Sequence, residues 1–141
     1  MSEFSVSLAK LASEANLTVA YTPCELEKIK VTATEASRPG MLLAGYYENF
    51  DCHRLQIIGL TEMSYLEEIS PSLRRTHLEK LFEFQPPAVI LSRGLQPLSE
   101  MMQFAKQYGV PILLSTEMTS ALMGVLITTL NTELAPRITR H

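Results

Sequence analysis

The sequence predicts an α/β fold: a three-layer α/β/α sandwich around a mostly parallel sheet. Three observations carry this reading. Apolar runs of strand length at residues 55–59, 88–92 and 111–115 alternate with stretches whose apolar residues recur at helical spacing. The run Ala88-Val89-Ile90-Leu91-Ser92 has no polar alternation, as expected for a strand buried on both faces. Cap residues punctuate the pattern, with Ser70-Pro71 opening one helix and Gly109, followed by Pro111, closing another.

Each element follows in order. Phe4, Leu8, Leu11, Ala12 and Ala15 form the apolar stripe of a first amphipathic helix, which Asn16 stops. Residues 17–21 read as a short strand that Pro23 breaks, and Ile29 and Val31 alternate with polar residues as in a half-exposed or edge strand. Arg38-Pro39-Gly40 is a turn, since proline fixes φ and glycine frees it; residues 41–46 form a short helix or an ordered loop. Strand 55–59 leads into helix 61–69. The helix opened by Ser70-Pro71 turns Leu78, Leu81 and Phe82 to one side and ends before Pro86-Pro87. After strand 88–92 and a loop at 93–97, Leu98, Met101, Met102, Ala105 and Tyr108 mark the next helix. Strand 111–115 and a last helix over 117–131 complete a domain of residues 1–132, and 133–141 reads as a linker. Right-handed crossovers place helices on both faces, and the first 50 residues are able to add antiparallel edge strands.

The chain's 141 residues suffice for one core without disulfides or metal. A net charge of −3, with no run of Lys or Arg, leaves no electrostatic footprint for nucleic acid. No apolar stretch reaches membrane-spanning length, and Met1-Ser2-Glu3-Phe4 lacks the basic start of a signal peptide, so a cytoplasmic protein is expected. Cys24 and Cys52 form no Cys-x-x-Cys pair and are read as free thiols. His53, His77 and His141 share no ligand-like spacing with them, so no metal site is expected.

Ligands of parallel sheets favour the carboxyl ends of the strands. Thr61, Ser92, Arg93, Ser115 and Thr116 stand there, and with helix N-termini they can bind an anion. The competing and preferred reading is that the hydroxyls cap helices and turns, which leaves Arg93 as the best single contact residue. Arg38 is able to bind phosphate, but bracing the turn or pairing with Glu62 is the preferred role. The methionines 101, 102, 118 and 123 are read as core filler. Neither Gly-x-x-x-x-Gly-Lys-Ser/Thr nor Gly-x-Gly-x-x-Gly occurs among the six glycines, so nucleotide chemistry by this chain alone is not expected, nor is a bound cofactor.

Two adjoining motifs point to a family. Arg38-Pro39-Gly40-Met41-Leu42-Leu43-Ala44-Gly45-Tyr46 and Arg54-Leu55-Gln56-Ile57-Ile58-Gly59-Leu60-Thr61-Glu62 resemble the R-P-G-x-x-L-A-G-Y and R-I-Q-x-x-G-x-T-E blocks of the N-terminal domain of bacterial HPr kinase/phosphorylases. The segment from Pro87 to Leu95, the segment Tyr108 to Leu113 and Leu134-Ala135-Pro136-Arg137 extend the resemblance, whereas residues 24–36 fit loosely. The resemblance implies a fold similar to the N-terminal domain of muramyl ligases. It also implies a bifunctional parent that uses ATP and Mg to phosphorylate a serine of HPr, removes that phosphate, and so regulates carbon metabolism through the phosphotransferase system. The implied partners are a C-terminal catalytic domain, HPr, and further copies in a homo-oligomer. On this reading Arg38, Pro39, Gly40, Gly45 and Glu62 are structural, no catalytic residue lies in the chain, and the end at His141 favours an excised domain. A stand-alone small-anion or nucleotide sensor is the alternative.

Overall fold

The computed structural model describes residues 4–135. In chain order the elements are β1 (Val6–Ser7), α1 (Leu8–Glu14), β2 (Thr18–Tyr21), β3 (Lys30–Val31), β4 (Ala36–Ser37), α2 (Gly40–Leu43), β5 (Leu55–Ile58), α3 (Leu60–Glu68), α4 (Pro71–Glu83), β6 (Val89–Leu91), α5 (Ser99–Tyr108), β7 (Ile112–Leu114) and α6 (Thr119–Leu134). A five-stranded sheet runs in the order β2-β7-β6-β5-β4. Strands β4 to β7 are parallel and β2 is antiparallel at one edge.

The parallel strands lie in chain order across the sheet, so their connections α2, α3–α4 and α5 all fall on one face. There Ile58, Val89, Leu91 and Ile112 meet Leu66, Leu78, Leu81, Phe82, Phe104 and Ala105. The other face is covered from the two ends of the described chain. Leu8 and Leu11 of α1 with Leu122, Leu126 and Leu130 of α6 bury Leu55, Ile57, Ile90 and Leu113. The layers are those expected, but the crossover helices share one face.

The early boundaries differ from the sequence reading. Phe4 is exposed rather than part of the first helix. Ser7 caps α1 by accepting from the Lys10 N–H at 3.1 Å, while Val6 pairs with Val31 in a separate antiparallel ribbon. Two-residue β4 had no periodicity of its own to reveal it. Asn16 adopts a left-handed φ of 54°, consistent with its place as a helix stop. Later caps agree with expectation: the Ser70 hydroxyl accepts from the Leu73 N–H with Pro71 at the first helical position, and Gly109 closes α5 at φ 70°. Helix α6 runs to Leu134, so it takes up the first two residues of the expected linker. Residues 136–141, including Pro136, Arg137 and His141, lie outside the described residues.

Helices α4 and α5 are tied by polar pairs as well as by packing. Arg74 Nε reaches Glu100 Oε2 at 2.9 Å, and Tyr108 donates its phenol to Glu79 Oε2 at 2.6 Å. That hydrogen bond holds the phenol in its neutral form and pushes its pKa up to about 12. The support it gives is complete below the ordinary tyrosine value of 10.0 and is lost as pH rises through about 12. One tyrosine of the five is therefore expected to ionise late in an ultraviolet titration. Tyr108→Phe should abolish that late step and flatten the alkaline fall in stability; an unchanged titration would contradict the assignment.

Candidate functional site

Parallel pairing brings the carboxyl ends of β4 to β7 to one edge of the sheet, and the strand-end residues gather there unequally. Arg38, Leu60, Thr61, Arg93, Met118, Thr119 and Ser120 line an open concavity of about 280 Å³, where Met118 is exposed rather than the core filler expected, because it stands just before α6. Thr61, Arg93 and Arg38 thus share one lining. Ser92 and Ser115 are buried behind it. The Ser92 hydroxyl shares a 2.6 Å hydrogen bond with Thr119, and Ser115 Oγ accepts from the Glu117 N–H at 3.0 Å. Thr116 is exposed and does not line the concavity. The hydroxyls of Ser92 and Ser115 are therefore engaged in internal bonds, as in the capping alternative.

Arg93 occupies a left-handed turn with φ 61°, followed by Gly94 at φ 71°. Its N–H donates to the Glu117 carbonyl at 2.7 Å, and the Gly94 N–H donates to the Ser115 carbonyl at 2.8 Å. These bonds lash the loops after β6 and β7 together. The Arg93 side chain is exposed and makes no ion pair among the described residues.

Arg38 is committed to the scaffold. Its Nη2 meets Glu62 Oε1 at 2.9 Å, and the same oxygen accepts the Gly59 N–H at 2.7 Å. Glu62 is only 7% exposed, so one buried carboxylate caps the start of α3 and anchors β4 to β5. Gly59 forms half a capping box, having no side chain to complete it. Pro39 precedes α2, and Gly40 opens it with no neighbour close enough to exclude a Cβ. Gly45 follows at φ 101°, where a Cβ would also lie 3.2 Å from His77 Cε1. The turn so formed docks on α4, with the Tyr47 phenol 2.7 Å from His77 Nδ1.

A second and larger groove, of about 350 Å³, opens beside this network. Its walls are Ser37 to Leu42 on one side and the 46–54 loop on the other, with buried Gln56 among its lining residues. Arg54 spans the groove's polar end, reaching Ser37 Oγ at 3.1 Å, Asp51 Oδ2 at 3.2 Å and Glu35 Oε1 at 3.5 Å. The His53 N–H, donating to the Asp51 carboxylate, is the largest influence holding that carboxyl below its ordinary value; Arg54 adds to it. Sequence reasoning singled out neither Gln56 nor Thr119. The signal for Gln56 was present, as the one polar side chain inside the Leu55-Gln56-Ile57-Ile58 run. Cys24 and Cys52 are unbridged, and the described residues hold no group of three or more metal-binding side chains. No described helix is long and apolar enough to cross a membrane.

The fold and this edge define a three-layer α/β domain whose strand-end arginine serves as an internal brace, in a chain that lacks a phosphate-binding loop. The family model described as the HPr Serine kinase N terminus matches residues 6–130, and the chain belongs to that family. An HPr kinase/phosphorylase of Caldicellulosiruptor bescii is 41% identical over 138 residues, 98% of this chain and 44% of the relative. Those of Streptococcus thermophilus and Lachnoclostridium phytofermentans are 36% and 32% identical over 96% and 98% of the chain. The chain thus spans less than half the length of these relatives. A structure of the CBS and DRTGG domains from the regulatory region of a Clostridium perfringens pyrophosphatase, complexed with the activator diadenosine tetraphosphate, aligns with 92% of this chain and 50% of its own. Its TM-score is 0.63 at 11% identity, a likeness of fold.

Proposed function

We propose that this chain is the non-catalytic, regulatory and assembly domain of a bifunctional HPr serine kinase/phosphorylase that acts in the cytoplasm in phosphotransferase-system signalling. The observation that carries the reading is the match over residues 6–130 to the N-terminal family, in a chain spanning 44% of its relative and lacking Gly-x-x-x-x-Gly-Lys-Ser/Thr. ATP and Mg belong, on this reading, to the part of the relatives that lies outside the match. The residues of this chain then supply a rigid body. Arg38, Glu62 and Gly59 lock β4, β5 and α3 together, while the lashed 93–94 and 115–117 loops fix the rim. Large apolar side chains left exposed on or near that rim, Leu60 and Met118, supply contact area for a catalytic domain or another copy. Thr61 and Arg93 are the residues of the rim concavity able to meet HPr or an anionic group. The family match over residues 6–130 does not favour a stand-alone small-anion or nucleotide sensor.

A domain exchange tests this. The matched segment of the Caldicellulosiruptor bescii enzyme is replaced by this chain, and HPr phosphorylation and assembly size are measured. The chimera is expected to phosphorylate HPr on serine and to keep the parent's assembly size. A folded chimera that neither phosphorylates HPr nor keeps the parent's assembly size would overturn the proposal.

A further inference from the structure

The rim concavity differs from its neighbours in charge. Its lining holds the guanidinium groups of Arg38 and Arg93 and the hydroxyl side chains of Thr61, Thr119 and Ser120, and among the described residues no carboxylate. The larger groove holds Glu48 and Asp51, and the hollows at residues 32–35 and beside α6 hold Glu35 and Glu133. In a chain of net charge −3, the concavity reverses the sign of the average surface.

Its two arginines contribute differently. Glu62, buried and outside the lining, accepts one bond from Arg38 Nη2 and offsets that charge. The rest of the guanidinium, 38% exposed, keeps N–H groups to donate. Arg93 supplies the uncompensated charge, since its exposed side chain makes no ion pair among the described residues. Its backbone is pinned at φ 61° by the 2.7 Å and 2.8 Å bonds of residues 93 and 94, which root the side chain at this edge. Glycine would hold that φ with less strain, so stability alone does not account for an arginine there.

A guanidinium fork beside further N–H and O–H donors, with no carboxylate in competition, fits the oxygens of a phosphoryl group. Leu60 and Met118, 49% and 59% exposed, stand in the same lining and offer an apolar body a surface to cover. The concavity's volume of about 280 Å³ stands near the lower end of small-molecule sites. We propose that it binds a small phosphomonoester, with the phosphoryl group on Arg93, Thr61 and the remaining N–H groups of Arg38, and the organic part against Leu60 and Met118. This deepens the proposed function and rests on its placing an anionic contact at the rim.

The test titrates the ¹⁵N-labelled chain with phenyl phosphate, inorganic phosphate and phenol. At about pH 7.5, above the second phosphate pKa of about 6, both phosphates are largely dianions. Phenyl phosphate at millimolar concentration is expected to give saturable shifts of the Leu60, Thr61, Arg93, Thr119 and Ser120 backbone amides. Inorganic phosphate should bind several-fold more weakly, and phenol should leave these signals unmoved. Arg93→Ala should weaken phenyl phosphate by about tenfold or more, the loss expected for a charged hydrogen bond. Met118→Ala should bring phenyl phosphate close to the affinity of inorganic phosphate. No saturable shift, phenyl phosphate no tighter than inorganic phosphate, the same shifts with phenol, shifts away from the rim or indifference to Arg93→Ala would each overturn the proposal. Rim shifts caused by HPr in a chain that ignores phenyl phosphate would make the concavity a protein contact and overturn it equally. Binding is read on the chain alone, so its failure leaves the chimera's phosphorylation and assembly untouched, and a failed chimera leaves the binding untouched.

Discussion

Glu62→Ala is expected to destabilise the domain by about 2–3 kcal/mol, although the residue lies at the edge of the sheet. The buried carboxylate does two things at once: it accepts the Gly59 N–H at 2.7 Å and the Arg38 guanidinium at 2.9 Å. Truncation strands a buried N–H, a loss of about 1–3 kcal/mol, and removes the cap of α3, worth about 1 kcal/mol in comparable positions. The two terms overlap, since they share a hydrogen bond. Arg38 is 38% exposed and can turn to water, so it adds less. Glu62→Gln keeps an acceptor and should lose only about 1 kcal/mol. Arg93→Ala should stay within about 0.5 kcal/mol, as expected for an exposed side chain without an internal partner. Urea unfolding followed by circular dichroism gives all three values. A Glu62→Ala change as small as that of Arg93→Ala would show that the motif does not brace the fold.

Gly59→Ala should destabilise by about 1–3 kcal/mol, the range for overpacking a close-packed site. The reason is space, since φ is −108° and any residue adopts it. An added Cβ would stand 2.6 Å from Thr119 Oγ1 and 2.8 Å from Arg38 Nη2. The arginine tip can swing away. The Thr119 hydroxyl is short, sits at the first turn of α6 and is held to Ser92 at 2.6 Å, so it yields only by breaking that bond. The double variant Gly59→Ala with Thr119→Ala should therefore be less destabilised than the sum of the single changes, in a double-mutant cycle. Strict additivity would mean that Thr119 is not the obstacle.

These two residues show what was and was not legible in the sequence. The α/β class was legible because doubly buried parallel strands and capped helices carry strong local signals: the 88–92 run, Ser70-Pro71 and Gly109 each announce themselves. Short elements have no period to read. Ala36–Ser37 becomes a strand only because β5 lies beside it, and Val6–Ser7 leaves the first helix because Val31 offers a partner. The meeting of Thr61 and Arg93 followed from parallel topology, whereas Arg38 joins them because β4, which has no period to read, pairs beside β5. Which hydroxyls were engaged internally did not, since the bonds of Ser92 and Ser115 depend on where α6 starts, and it starts at Thr119, two residues later than expected. Gln56 was visible as a polar break in an apolar strand, but only the positions of two carbonyls reveal that one end of its amide is left over.

The motif from Arg38 to Glu62 accordingly works as scaffold on one side and leaves a groove on the other. A rigid scaffold of this kind is what the proposed positioning role requires of the chain. The most direct measurement incubates the purified chain with ATP, Mg and HPr beside the full Caldicellulosiruptor bescii enzyme and measures seryl phosphate on HPr. The chain alone is expected to give no more product than the protein-free control while the full enzyme phosphorylates HPr. Phosphoserine formed by the chain alone would contradict the reading.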